Sequence, residues 1–125
     1  MEWTDAELDA VGDADELQIA SLRPDGSLRP WVTIWVVRSG DDLYVRSAYG
    51  PETGWYRRAR ASGMGRIRAG GVERDVTFAD ADGVAGEAID SAYQDKYGRY
   101  GKGVVNTVVG EQVHPLTIRL VPREA

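Results

Sequence analysis

Residues 25–38 read Asp25-Gly26-Ser27-Leu28-Arg29-Pro30-Trp31-Val32-Thr33-Ile34-Trp35-Val36-Val37-Arg38. With Pro24 in front, Asp25-Gly26-Ser27 has the chemistry of a tight turn: proline presets one dihedral, the Asp side chain bonds its own backbone, and glycine accepts the turn conformation. The run that follows, 28–38, is dominated by β-branched and aromatic residues and predicts a strand. Val32, Ile34 and Val36 fall on one face and Trp31, Trp35 and Val37 on the other. A strand apolar on both faces is covered on both sides. In a small barrel one cover is the core, and the other must be a helix, a partner chain or a flat ligand.

Working outward, 17–22 predicts a strand before the turn, and Thr4 is placed to cap a short helix with Glu7 in the capping-box position. Gly12 is expected to stop that helix. Downstream, Ser39-Gly40-Asp41-Asp42 is a second turn and 43–47 a cleanly alternating strand. Breaker residues fill 49–54, and 55–61 predicts a short helix ended by Gly63. Gly70-Gly71 joins strands at 65–69 and 72–79 as a two-residue hairpin. Residues 87–97 carry Ala88, Ala92, Tyr93 and Tyr97 at helical spacing, 104–109 fits a helical turn or a strand, and 116–120 is a closing strand before Pro122. About six strands, mostly in hairpins, predict an antiparallel barrel or sandwich. No repeat or linker divides residues 1–125, so a single domain is expected.

Composition narrows the chemistry. There is no cysteine and one histidine, His114, which excludes disulfides, thiolate metal sites, Cys nucleophiles and multi-histidine centres, and no metal is expected. The net charge is −5, from 15 bases and 20 acids. Residues 1–16 hold seven acids and no base, whereas 46–74 hold seven arginines against Glu52 and Glu73. A basic island in an acidic chain suits a small anion, such as a cofactor phosphate, better than nucleic acid. The longest apolar run, 31–37, is far short of a membrane span, and the acidic N-terminus is unlike a signal peptide. A cytoplasmic protein, off the membrane, is expected.

There is no P-loop, no complete dinucleotide fingerprint and no nucleophile elbow. Asp80 and Asp82 read as turn and cap residues, and His114, ahead of Pro115, as a structural or surface residue.

The order of elements from Asp25-Gly26 to Phe78 resembles the FMN-binding split-barrel superfamily of pyridoxamine-phosphate-oxidase-like proteins. The matching parts are the DG turn, Arg29-Pro30-Trp31 entering a strand, Leu43-Tyr44-Val45-Arg46-Ser47, the helix Trp55-Tyr56-Arg57-Arg58-Ala59, and Arg66-Ile67 before the GG hairpin. The chain is most similar to an uncharacterised bacterial branch of that superfamily and is also similar to deazaflavin-dependent nitroreductases, which start the equivalent helix with Trp.

The resemblance implies a mainly β fold, a six-stranded antiparallel Greek-key split barrel with a few short helices, and a homodimer holding a flavin between subunits. It places Arg46 and Ser47 at a strand end facing the phosphate, Arg57 and Arg58 on a phosphate-binding helix, and Arg29, Trp31 and Thr33 along the ring pocket. Many FMN-binding members have Lys where this chain has Trp55, and the nitroreductases usually have Asn where it has Arg58. The implied cofactor is accordingly FMN or a deazaflavin. Such a site needs cations, here Arg46, Arg57 and Arg58, and a flat apolar slot, for which Trp31, Trp35, Trp55 and Tyr49 are candidates; catalytic side chains are not required, because the flavin carries its own hydride chemistry. Three functions follow: a flavin- or deazaflavin-dependent oxidoreductase passing hydride to a small acceptor, a non-catalytic binder of a flavin, haem or other flat ligand, or a structural dimer that has lost the site.

Overall fold

The computed structural model describes residues 2–81 and 86–123; Asp82 lies outside them. Helix α1 (Asp5–Asp13) opens the chain, with the Thr4–Glu7 capping box formed in both directions. It runs one residue beyond Gly12. Strands β1 (Leu17–Ser21), β2 (Val32–Ile34), β3 (Val37–Ser39) and β4 (Asp42–Arg46) follow, then α2 (Gly54–Ser62), β5 (Met64–Ala69), β6 (Val72–Asp80), α3 (Gly86–Tyr97), a short α4 (Lys102–Val105) and β7 (Thr117–Pro122). Short 3₁₀ segments occupy Gly98–Tyr100 and Glu111–Leu116. Gly63 ends α2 in the left-handed conformation, φ 73°, where a side chain would be strained.

The strands form one antiparallel sheet in the order β2-β1-β5-β6-β7-β4-β3. Its two outer strands, β2 and β3, are neighbours in sequence. The run expected as one strand is therefore two, broken at Trp35-Val36, and the break lets the chain pass from one end of the curled sheet to the other. This is why the split barrel has seven strands rather than six.

Inside the curl lie Leu17, Ile19, Val36, Leu43, Val45, Ile67, Val76, Ile118 and Leu120, closed off by Leu8 and Val11 of α1 and by Trp55, Tyr56 and Ala59 of α2. Trp3 joins them and ties the N-terminal segment to β7 through its indole N–H, which donates to the Leu120 carbonyl at 2.9 Å. The second face of β3 and β4, with Val37 and Tyr44, is covered by Ile89, Tyr93 and Tyr97 of α3. Trp35 and Val37 on the outer face of 28–38 thus meet a helix, along a stripe at i, i+4 and i+8. Ala88, counted on that stripe from the sequence, is exposed instead. No helix among the described residues is long and apolar enough to cross a membrane.

Candidate functional site

An open groove of about 1080 Å³ runs between the 22–26 turn and α2. Five arginines line it, Arg23, Arg29, Arg57, Arg58 and Arg60, together with Leu22, Pro24, Pro51, Tyr56 and Met64, and no Asp or Glu does. In a chain with five more acids than bases this is a marked segregation of charge. Arg29, Arg57 and Arg58 form no ion pair among the described residues. Arg29 Nε is buried without a hydrogen-bond partner. The remaining two are occupied. Arg23 donates to the Leu28 carbonyl at 2.9 Å, and Arg60 pairs with Asp80 and donates to Tyr56 Oη at 2.9 Å.

The start of α2 adds to the positive end of the groove. Thr53 makes no side-chain cap, and the first turn holds no acid. The exposed N–H groups and the helix dipole favour an anion there. Beneath the groove a void of 10 Å³, the size of one water, is lined by Ser21, Arg29, Trp55 and Arg58.

Of the residues expected to form the site, the structure brings together Arg29, Arg57 and Arg58 on the groove, and Trp55 with Arg29 and Arg58 on the small void. The others stand elsewhere. Trp31 is covered by the Arg68 guanidinium, 4.3 Å from its ring centroid, and Thr33 lines a shallow depression with Gln18 and Arg68 away from the groove. Trp35 stacks on Tyr97 at 4.0 Å with the rings 5° from parallel. Tyr49 projects from the loop before α2, 83% exposed. Ser47 is enclosed and donates to the Gly50 carbonyl at 2.5 Å.

Arg46 is placed in the interior. Its fully enclosed guanidinium pairs with Asp90 of α3, donates through Nε to Thr117 Oγ1 at 2.8 Å, and reaches the carbonyls of Val108 (2.7 Å) and Gly86 (3.2 Å). Arg46 takes Asp90 Oδ1, while Oδ2 accepts from the Gly110 N–H at 3.1 Å and lies 3.1 Å from His114 Nε2. Burial alone would raise the Asp90 pKa. The hydrogen bonds from Arg46, His114 and Gly110, with the Arg46 charge, outweigh it and hold the carboxyl below its ordinary value. The alternation of 43–47 could not reveal this, because both faces of β4 are buried.

Sequence reasoning also missed Arg23, Arg60 and Met64 as groove residues. Their signal was faint: Arg23 adjoins the turn, Arg60 follows Arg57 by three on the helix, and Met64 opens the next strand.

Over residues 7–120 the chain matches the family described as "Uncharacterized protein conserved in bacteria (DUF2255)". No curated protein sequence matches it. Among solved structures it is similar to a Listeria innocua protein provisionally named pyridoxamine 5′-phosphate oxidase, with TM-score 0.65 and 16% identity over 96% of this chain and 93% of that one. It is also similar to an F420 reductase, at TM-score 0.60 and 14% identity over 98% and 97% of the two chains. A FAD-binding protein from Mesorhizobium loti matches at TM-score 0.55 and 15% identity over 99% and 93%. At these identities the shared property is the split-barrel fold.

Proposed function

This chain belongs to the DUF2255 family of bacterial proteins, and we propose that it binds a phosphorylated flavin-type cofactor, FMN or a deazaflavin, in the arginine groove and serves as an oxidoreductase toward a small acceptor. The observation that carries this reading is the set of three arginines without ion pairs on a groove that excludes carboxylates. Isolated cations facing one another are unfavourable unless an anion joins them, and guanidinium groups match phosphate oxygens in a bidentate way. The residues therefore fit a phosphate. Arg57 and Arg58, beside the uncapped start of α2, would hold it, with Arg29 reaching it from the β2 side. Leu22, Pro24, Pro51 and Met64 supply apolar walls.

When bound, such a cofactor supplies the hydride chemistry. The chain's part is to hold the phosphate, present apolar walls and keep carboxylates away. No carboxylate, histidine or lysine lines the groove among the described residues, which equally suits a protein that holds the ligand without turnover. Turnover with a nicotinamide reductant separates the two. Trp31, Thr33 and Tyr49 stand outside the groove of their own chain, so a ring site made from them needs a second copy. We read the protein as a homodimer on that ground, and light scattering with and without FMN tests it.

The test of the ligand is titration with FMN and with a deazaflavin, followed by absorbance and fluorescence quenching. Arg58→Ala should weaken binding by about 1.5–3 kcal/mol, the worth of one charge-assisted hydrogen bond. Arg38→Ala, whose side chain pairs with Asp9 far from the groove, should leave binding unchanged. Equal effects, or no saturable binding by the unmodified protein, would sink the assignment.

A further inference from the structure

Met64 opens β5 on the wall of the arginine groove and is 39% exposed. Its sulfur accepts from Arg123 Nη1 at 3.2 Å. A thioether is a weak acceptor, and the Nε of the same guanidinium is buried with no hydrogen-bond partner. Arg123 forms no ion pair among the described residues. A guanidinium with donor capacity to spare is thus held beside an accessible sulfur. The chain has two methionines and no cysteine, so apart from Met1 this is the one sulfur on which an oxidant can act.

We infer that Met64 is a peroxide-sensitive modification site whose oxidation tunes the groove. The tuning, though not the modification, rests on the groove being the ligand site proposed above. In the step, a sulfur lone pair attacks one oxygen of hydrogen peroxide and the O–O bond breaks. A sulfur–oxygen bond forms, and the departing hydroxide leaves as water after taking the proton of the transferred oxygen. The thioether is oxidised by two electrons to the sulfoxide, and the peroxide is reduced. Negative charge develops on the departing oxygen as the O–O bond breaks, and the Arg123 N–H groups are placed to stabilise it. The sulfoxide oxygen then gives Arg123 the strong acceptor it lacks. The same change turns an apolar part of the groove wall polar and removes a soft contact for a flat ring.

Two measurements test this on the intact protein. Limited treatment with hydrogen peroxide and peptide mass analysis should show Met64 sulfoxide forming roughly two- to tenfold faster than in Arg123→Ala. Arg123→Lys, which keeps a charge but not the fork, should fall between them. Equal rates in all three, or a Met64 that stays reduced while free methionine oxidises, would overturn the site. FMN affinity should fall roughly two- to tenfold on oxidation, return after treatment with methionine sulfoxide reductases, and stay constant in peroxide-treated Met64→Leu. Unchanged affinity at complete Met64 oxidation would overturn the tuning. If the untreated protein binds no FMN, the cofactor reading fails and the tuning with it, while the rate comparison still decides the modification site.

Discussion

With its side chain fully enclosed, Arg46 commits four of its five N–H donors to Asp90, Thr117 and two carbonyls inside the fold. Arg58, twelve residues on, is exposed and forms no ion pair among the described residues. The sequence presents the two as equal candidates, since each is an arginine in a predicted regular element. What separates them is Asp90, 44 positions from Arg46, a distance at which no local pattern speaks. Arg46→Ala should therefore act on the fold rather than on binding. It leaves Asp90 in the interior without its cation, at a cost of about 3–5 kcal/mol, read as a lower denaturant midpoint. Arg58→Ala should leave that midpoint nearly unchanged while binding weakens. Tyr93 makes the opposite case. It is fully buried, and among the described residues its hydroxyl meets only the Arg46 backbone, without the geometry of a formed hydrogen bond. Tyr93→Phe removes an unpaired polar atom and should raise stability by about 1 kcal/mol; a loss instead would show that the hydroxyl is bonded, through water for example.

At the scale of elements, most of the barrel was legible because its signals are local. The Gly70-Gly71 turn, the Gly63 stop and the Thr4–Glu7 box each act within a few residues, and the elements they bound lie within one or two residues of the predicted positions. The break in 28–38 was not legible. Nothing in Trp35-Val36 opposes an extended strand. The break is held from outside: the Tyr97 hydroxyl accepts from the Val36 N–H at 3.1 Å and donates to the Asp15 carbonyl at 2.8 Å, while Lys96 donates to the Val36 carbonyl at 2.7 Å. Side chains of α3 thus take the bonds that a strand partner would have made. Tyr97→Phe keeps the ring and its stacking on Trp35 but strands the buried Val36 N–H, and should cost about 1–3 kcal/mol. Hydrogen exchange at Val36 should quicken in the variant. The groove was half legible for the same reason. The arginines of α2 cluster in sequence, but that Arg60 pairs with Asp80 while Arg57 and Arg58 form no ion pair among the described residues is a property of where twenty acids fold.

For the molecule as a whole, these buried groups give stability a definite shape against pH. Asp90 is held below its ordinary value, so the folded state gives up that proton more readily than the unfolded chain. Its contribution is complete above the ordinary carboxylate range and is lost as pH falls through the folded value. The alkaline side has two opposing parts. Burial brings Lys96 down from 10.5 to about 8. Between those values the unfolded chain holds a proton that the folded protein has released, so stability from this group rises with pH. Burial pushes Tyr97 up from 10.0 to about 12. Across that interval the folded state keeps a proton the unfolded chain has lost, and stability falls with pH. The two together place a local maximum near pH 10, on top of the decline expected as an acidic chain gains further negative charge. Lys96→Met keeps the length and apolar stem of the side chain but removes the amine. The difference in unfolding free energy between the unmodified protein and this variant should be flat below pH 7 and move in favour of the unmodified protein from about pH 8 to 10.5, the interval set by the two Lys96 values. A difference that stays level across that interval would mean that the amine keeps its proton in the folded state, and that its bond to the Val36 carbonyl is made by an ammonium group.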